Sequence, residues 1–319
     1  RTWVARQNGQ LVGRVGACVD SYHNEAHEEN SGFFGFFECR EDGEVARGLL
    51  NAAESWLREQ GVDTMRGPCC FTSNHDYVGL LIDGDPGPPT VGMPYNPGYY
   101  QEMLEDFGLQ KTKDLLAWLY EPGATQIPPK IQNMIDSIIK RDAFQVRTFD
   151  MNRFDEEART VRDLYNQCWS KNWGFIPMDE AEFAYAAKDM KKMVDPDFLL
   201  LAEVKGQPIG FSLTIPDFNQ ALLPCRGRLF PAGFLKFLWR KRRITRCRTM
   251  LLGVLPEFRH RGVDVVMVYK TFKAGLARGM NQGECSWVLE DNQAMNRILQ
   301  GIGCRILRTY RVYDLFLES

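Results

Sequence analysis

The feature that most limits how this chain can fold is an order of elements that it runs through twice. In the first pass, Gly35-Phe36-Phe37-Glu38-Cys39-Arg40 leads to Gly43 and a helical pattern from Glu44 to Gln60, which Gly61 closes. In the second, Gly253-Val254-Leu255-Pro256-Glu257-Phe258-Arg259 leads to Gly262, and the helical pattern runs from Val263 to Arg278 before Gly279. Val45, Leu49, Leu50, Ala53, Trp56 and Leu57 recur at spacings near three and four, so the first of these helices has one apolar face. Each pass then gives a short strand (Thr64 to Arg66; Cys285 to Leu289) and an Asn ahead of another helix (Asn96 before Tyr99 to Phe107; Asn292 before Ala294 to Gln300). Late glycines follow (Gly108; Gly301 and Gly303), and each pass ends in a strand-like run (Leu115 to Tyr120; Tyr310 to Leu317). One element can match by chance; the same order throughout implies a structural repeat.

A chain of 319 residues suits two domains. The break falls in the Pro- and Gly-rich Glu121 to Pro129, ahead of a short helix from Ile131 to Ile139. This predicts a first domain over 1–122, a linker and short helix over 123–144, and a second domain over 145–319. A helix from Phe154 to Trp169 opens the second domain. Hairpins are expected around Asn8-Gly9 (Trp3 to Arg6; Leu11 to Val19) and around Lys205-Gly206-Gln207 (Phe198 to Val204; Pro208 to Pro216).

Composition excludes some function classes. Hydrophobic residues at 44% and charged residues at 25% describe an ordinary globular chain, and a net charge of −2 argues against a nucleic-acid partner. The nine cysteines are odd in number, scattered and without a CxxC, which fits a reducing compartment with cysteines as apolar filler. No metal site is expected: His23 and His27, among Glu25, Glu28 and Glu29, read as a solvated loop. No apolar run nears the roughly 20 residues of a membrane span, so a cytoplasmic place is expected. The chain starts at Arg1 without Met, which leaves a processed or shortened N-terminus open.

The second pass has helix, hairpin, long strand, Arg-rich glycine turn, helix, strand, helix and strand, an order similar to the Gcn5-related N-acetyltransferase (GNAT) fold. That family's Q/R-x-x-G-x-G/A signature stands here as Arg259-His260-Arg261-Gly262-Val263-Asp264, with Asp264 departing from its last position. Amides at such a turn and helix N-terminus suit the diphosphate of coenzyme A, glycine permits close approach, and Arg259 and Arg261 add charge. The resemblance implies an α/β (α+β) protein of two GNAT-like domains, each a mixed twisted sheet flanked by helices, that uses acyl-CoA or acetyl-CoA to acylate an amine. It assigns Leu252, Gly253 and Val254 to the pantetheine arm and Asn292 to the start of the next helix. The family often has a Tyr seven residues after that Asn; here Leu299 stands there, so a tyrosine acid is expected only if Tyr310 or Tyr313 takes its place. Glu290, at the strand end, is the expected base, against the plainer reading of Glu290-Asp291 as an acidic helix start. His75 is an alternative base on a Pro- and Gly-rich loop from Gly67 to Gly98 that reads as a lid, and Asp217 and Asn219 are lesser pocket residues.

In the first pass the equivalent turn, Arg40-Glu41-Asp42-Gly43-Glu44, carries three acids, which would repel phosphate. That half is therefore expected to wall the cleft without binding acyl-CoA. From Arg226 to Arg248 the chain is both basic and aromatic, the composition of an interfacial helix on an anionic membrane's inner face. The same segment also reads as an acyl-chain wall, or as a core helix with a basic end. Together with Asn74-His75-Asp76-Tyr77-Val78-Gly79-Leu80-Leu81, Tyr95-Asn96 and Lys113-Asp114-Leu115, it resembles a bacterial GNAT-like family in which some members look like ceramide synthases. That implies a long-chain acyl donor and a lipid amine acceptor. A short-chain acetyltransferase, a non-catalytic acyl-CoA binder and an aminoacyl-tRNA-dependent transferase are the competing readings.

Overall fold

The computed structural model describes residues 1–71, 77–121, 129–191 and 193–317. The first half runs β1 (Thr2–Gln7), β2 (Gln10–Val19), α1 (Ser21–His27), β3 (Ser31–Cys39), α2 (Gly43–Glu59), β4 (Thr64–Gly67), β5 (Leu80–Gly84), α3 (Tyr99–Asp106) and β6 (Gln110–Tyr120). The second opens with α4 (Pro129–Asp142), β7 (Gln145–Thr148), α5 (Phe154–Trp169), α6 (Glu180–Met190), β8 (Leu199–Val204) and β9 (Gln207–Pro216). It continues with α7 (Asn219–Leu222), α8 (Ala232–Lys241), β10 (Arg246–Val254), α9 (Val263–Ala277), β11 (Gln282–Leu289), α10 (Gln293–Gly301) and β12 (Arg305–Phe316).

These strands make one sheet in the order β1-β2-β3-β4-β12-β6-β11-β10-β9-β8-β7, with β5 also on β12. The order exposes how the repeat is assembled. β4 of the first half receives β12 from the second, β11 of the second receives β6 from the first, and β6 and β12 pair with each other antiparallel. Each half is thus completed by the other's last strand. Helices cover the sheet where strands need cover: Leu49, Leu50, Ala53 and Leu57 of α2 are buried with Phe34, Tyr100 and Leu104. Val161, Leu164 and Tyr165 of α5 are buried with Leu201, Phe211 and Leu213. Ile135 of α4 lies with Val263, Val266 and Met267 of α9.

The two parallel pairs are short. β3 and β4 pair from Ser31–Thr64 to Phe33–Arg66, and β10 and β11 from Arg246–Gln282 to Thr249–Cys285, after which the strands part. In the first half that fork is filled by the chain itself. Cys69 N–H donates to Phe34 O at 2.7 Å, and a Cβ at Gly35 would lie 1.8 Å from the Cys69 carbonyl oxygen. Only glycine admits the crossing backbone there.

The histidines correct the sequence reading of a solvated loop. His23 and His27 lie on a helix, α1, with rings 4.6 Å apart, and His23 is fully buried with its edge on Phe33. Burial, then the neighbouring His27, push the His23 imidazole below its ordinary range. A folded value below the unfolded one means that stability is full above about pH 6.5 and is lost as pH falls, because the unfolded chain takes the proton more readily. Between pH 7.5 and 5.5 the parent chain is expected to lose about 2–4 °C more in melting temperature than His23→Gln. Parallel melting curves for the two chains would contradict this.

Candidate functional site

In the second half the fork between β10 and β11 is a slot. Met250 is an extra residue, a bulge between Thr249 and Leu251 in the pairing with β9, and from there to Val254 the β11-facing edge of β10 has no strand partner. Arg248 closes the inner end: its Nε donates to Ser286 Oγ at 2.8 Å, Nη2 to Ser286 O at 3.1 Å and Nη1 to Val91 O at 2.7 Å. Trp169 lies against the unpaired stretch, 3.0 Å from where a Cβ at Gly253 would stand. With Val91 and Met250 it packs on one buried cluster, and Trp173 and Trp287 pack on the next, which includes Met93.

The outer end is the turn into α9. Backbone N–H groups of His260, Arg261, Gly262, Val263 and Asp264 have no hydrogen-bond partner among the described residues. Gly262 is the N-cap, at φ 80°, and no side chain caps the helix end with a hydrogen bond. The first half has the opposite arrangement: Asp42 caps α2 and accepts from Glu44 N and Val45 N, so its amides are taken. Asp264 bends back and accepts from Val265 N at 2.9 Å, which turns its charge to its own helix. Arg261 is exposed, with its guanidinium 5.0 Å from the Phe258 ring.

Arg259, expected to meet phosphate, is committed elsewhere. Its Nε donates to Val254 O at 3.1 Å and its Nη2 to Cys168 O at 2.8 Å, fastening the turn to β10 and α5. Leu252, Gly253 and Val254 line the unpaired stretch of β10, opposite Ser212, Phe211 and Gly210 of β9. Asn292 is the N-cap of α10 and accepts from Met295 N at 3.2 Å, so its side chain serves that helix.

Glu290 does not point into the slot. Its Oε2 lies 2.7 Å from Lys111 Nζ and its Oε1 accepts from Asp114 N at 3.0 Å, which ties it to the β6–β11 seam. Asp217 is buried against Arg246 and accepts from Val91 N at 3.1 Å, and Asn219 donates to Pro89 O at 3.0 Å. Both pin the loop that follows β5. His75 lies outside the described residues, and the loop around it is not wholly irregular, since β5 lies within it on β12.

The acid and base chemistry collects one strand layer deeper, on residues the sequence reading passed over. Glu284 of β11 sits opposite Arg248 at the last pairs before the strands part and is fully buried. Its Oε1 accepts from Thr90 Oγ1 at 2.7 Å and from Ser286 Oγ at 2.8 Å. Among the described residues its Oε2 has no hydrogen-bond partner and lies 3.8 Å from Arg308 Nη1, which has none either. The Tyr310 hydroxyl is equally buried and likewise has no geometric hydrogen-bond partner among them. Arg308 and Tyr310 of β12 stand opposite Ala117 and Leu115 of β6, and the methyl side chain of Ala117 leaves these long side chains space to converge. Arg308 also donates to the carbonyls of Asp85, Gly87 and Pro88, so loop 85–90 roofs the cluster. Burial, then the Glu284 charge, push the Tyr310 phenol above its usual range, so it keeps its proton at neutral pH. A Glu and a Ser alternating on the inward face of an apolar strand were the available sequence signal. Tyr313, the other tyrosine considered, donates to Glu105 at 3.0 Å away from this cluster. Among the described residues no three His, Cys, Asp or Glu side chains gather as a metal site requires.

No family model matches the chain. Protein YghO of Escherichia coli is 33% identical over 320 residues, covering 98% of this chain and 81% of that protein. The bacterial ceramide synthase of Caulobacter vibrioides is 34% identical over 319 residues, covering 98% and 82%. A GCN5-related N-acetyltransferase structure from Sphaerobacter thermophilus aligns at TM-score 0.56 and 14% identity, over 98% of this chain and 79% of that one. A tandem GNAT protein from the clavulanic acid biosynthesis pathway aligns at TM-score 0.56 and 12% identity, over 100% and 83%. At those identities the two structures share the fold.

Proposed function

The chain belongs to the bacterial tandem-GNAT family represented by the Caulobacter vibrioides ceramide synthase, and from that premise we propose that it is an acyl-CoA-dependent N-acyltransferase using its second half. The carrying observation is the slot itself, with five unpartnered amides at the outer end and a buried carboxylate at the inner end. Acyl-CoA is the substrate that fits both. Its diphosphate would take the N–H groups from His260 to Asp264, where the helix N-terminus adds favourable partial charge. Its pantetheine arm would lie along the unpaired edge of Met250 to Val254.

At the inner end the acceptor nitrogen attacks the thioester carbon, a C–N bond forms and the C–S bond breaks. The proton lost by the amine passes to Ser286 Oγ while Ser286 hands its own to Glu284. Arg248 holds Ser286 in place. Tyr310 would supply the proton that the departing thiolate takes up, and the proton gained by Glu284 would restore the phenol through water once products leave, since the two side chains make no direct hydrogen bond. Trp169 against the slot and the apolar clusters on which Trp173 and Trp287 pack support an apolar acceptor, and we read it as a lipid amine at a membrane surface, with a long-chain donor.

The first half supports the slot as a wall. Its own fork is filled and its own helix N-terminus is capped. A thiol-release assay over acyl-CoAs of graded length, each with short and long-chain amines, tests the reading. Palmitoyl-CoA with a long-chain amine is expected to turn over at least about tenfold faster, in kcat/KM, than acetyl-CoA with a short amine. Reversal of that order would replace the lipid reading with the short-chain one. No free thiol with any pair would remove the transferase altogether.

A further inference from the structure

We infer that the excursion between β9 and β10 is a docking surface for an anionic lipid bilayer. Helix α8 is built inside out. Phe237 turns inward and packs with Phe218, Ile244 and Cys247, which holds α8 against the body, and a Cβ at Gly233 would lie 1.9 Å from Arg228 O, so the turn before α8 is tightly folded on itself. Phe234, Leu235, Leu238 and Trp239, at helical positions on the other side, face solvent. The neighbouring turn adds Leu223 and Leu229, and Phe230, whose ring is 84% exposed and stacks with that of Phe234. Single exposed apolar residues are ordinary, but a contiguous aromatic patch of this kind marks an interaction surface.

Charge selects the occupant. Arg226, Arg228, Lys236, Arg240, Lys241, Arg242 and Arg243 lie among these side chains, and no Asp or Glu occurs from Phe218 to Pro256, in a chain whose net charge is −2. Arg240 and Arg243 stack on Trp239, the nearer guanidinium 3.8 Å from the ring centroid, which places cations beside an exposed indole. Apolar side chains that enter the acyl boundary, ringed by cations at headgroup depth, are what an anionic bilayer face recognises. No helix among the described residues is long and apolar enough to cross a membrane. The surface also adjoins the reaction centre. Leu223 lines a small cleft of about 140 Å³ together with Asp85, Pro88, Pro89 and Asp217, and residues 85–90 are the roof over Glu284 and Arg308. The inference shares the lipid reading of the acceptor but stands on this surface alone.

Co-sedimentation of the chain with vesicles tests it. Binding to vesicles with about 30% phosphatidylglycerol is expected to exceed binding to pure phosphatidylcholine by at least about tenfold, and to weaken as salt rises. Phe230→Ser with Leu235→Ser, and separately Arg240→Glu with Arg242→Glu, are each expected to lower it by about tenfold or more while acyl-CoA binding stays unchanged. Equal binding to both vesicles, or none to either, overturns the proposal. So does a concentration-dependent dimer in sedimentation velocity that the Phe230→Ser, Leu235→Ser pair abolishes, since the patch would then be covered by a second copy. Each readout is a binding measurement, so vesicle binding without turnover would leave this inference standing and remove the transferase reading.

Discussion

Replacing Glu284 by Gln is expected to lower kcat by about 10²- to 10⁴-fold, the range over which a positioned proton acceptor accelerates such a step. Gln has nearly the same shape and still accepts from Thr90 and Ser286, but it cannot take up a proton. Arg308 keeps its bonds to the carbonyls of Asp85, Gly87 and Pro88 and keeps the Asp85 carboxylate at 3.5 Å, so the substitution leaves its charge with a partner. The melting temperature and the dissociation constant for acyl-CoA should therefore stay close to the parent's. A structural role would instead lower stability and leave the pH profile of kcat in place. Retention of the parent's kcat across the pH range would exclude Glu284 as the acceptor. Should the Gln variant fail to fold, Ser286→Ala breaks the same path while leaving the carboxylate with Thr90.

The second large effect is expected at the other end of the slot. Gly262→Glu should weaken acyl-CoA binding by about 100-fold or more, ~2.7 kcal/mol. Three causes act together. The residue is at φ 80°, where a side chain is strained by about 1–2 kcal/mol. A Cβ there would stand 3.0 Å from Ile138 Cγ2 of α4, so the turn or that helix must shift. The new carboxylate would also lie beside the amides meant for a diphosphate. Gly279→Ala is the control. It has φ 75° at the other end of α9 with nothing within 4 Å, so it carries similar strain without touching the site. Calorimetry should find normal acyl-CoA binding for that control and little or none for Gly262→Glu. Equal losses in both would reduce the Gly262 effect to backbone strain.

What was legible in the sequence follows from how far each signal reaches. Helix α5 begins at Phe154 and ends at Trp169 as its periodicity requires, and both hairpins stand where their turn residues put them, because those signals are local. The repeat was legible for the same reason, element by element. Which strand pairs with which was not: β6 and β12 are both long strands that mix charged and apolar residues, and nothing local in either specifies which half receives it. The site divides in the same way. The turn at 259–264 announced itself by spacing, yet Arg259 fastens that turn to β10 and α5, and Asp264 accepts from the backbone of its own helix. Glu290 satisfied the rule that a base should stand at a strand end, but Lys111 on a strand from the other half reached it first. Glu284 became visible only once register set it against Arg248 and β12 brought Arg308 and Tyr310 across Ala117.

The crossing of β6 and β12 also bears on what the gene can lose. A doubled coding sequence usually leaves one copy free to decay or be deleted once the other holds the activity. Here deletion would strip β11, the strand carrying Glu284 and Ser286, of the neighbour along its far edge, and would leave β12 without β4. The first half can drift in its turn and its fork, but it cannot be discarded, because the second half is folded around it.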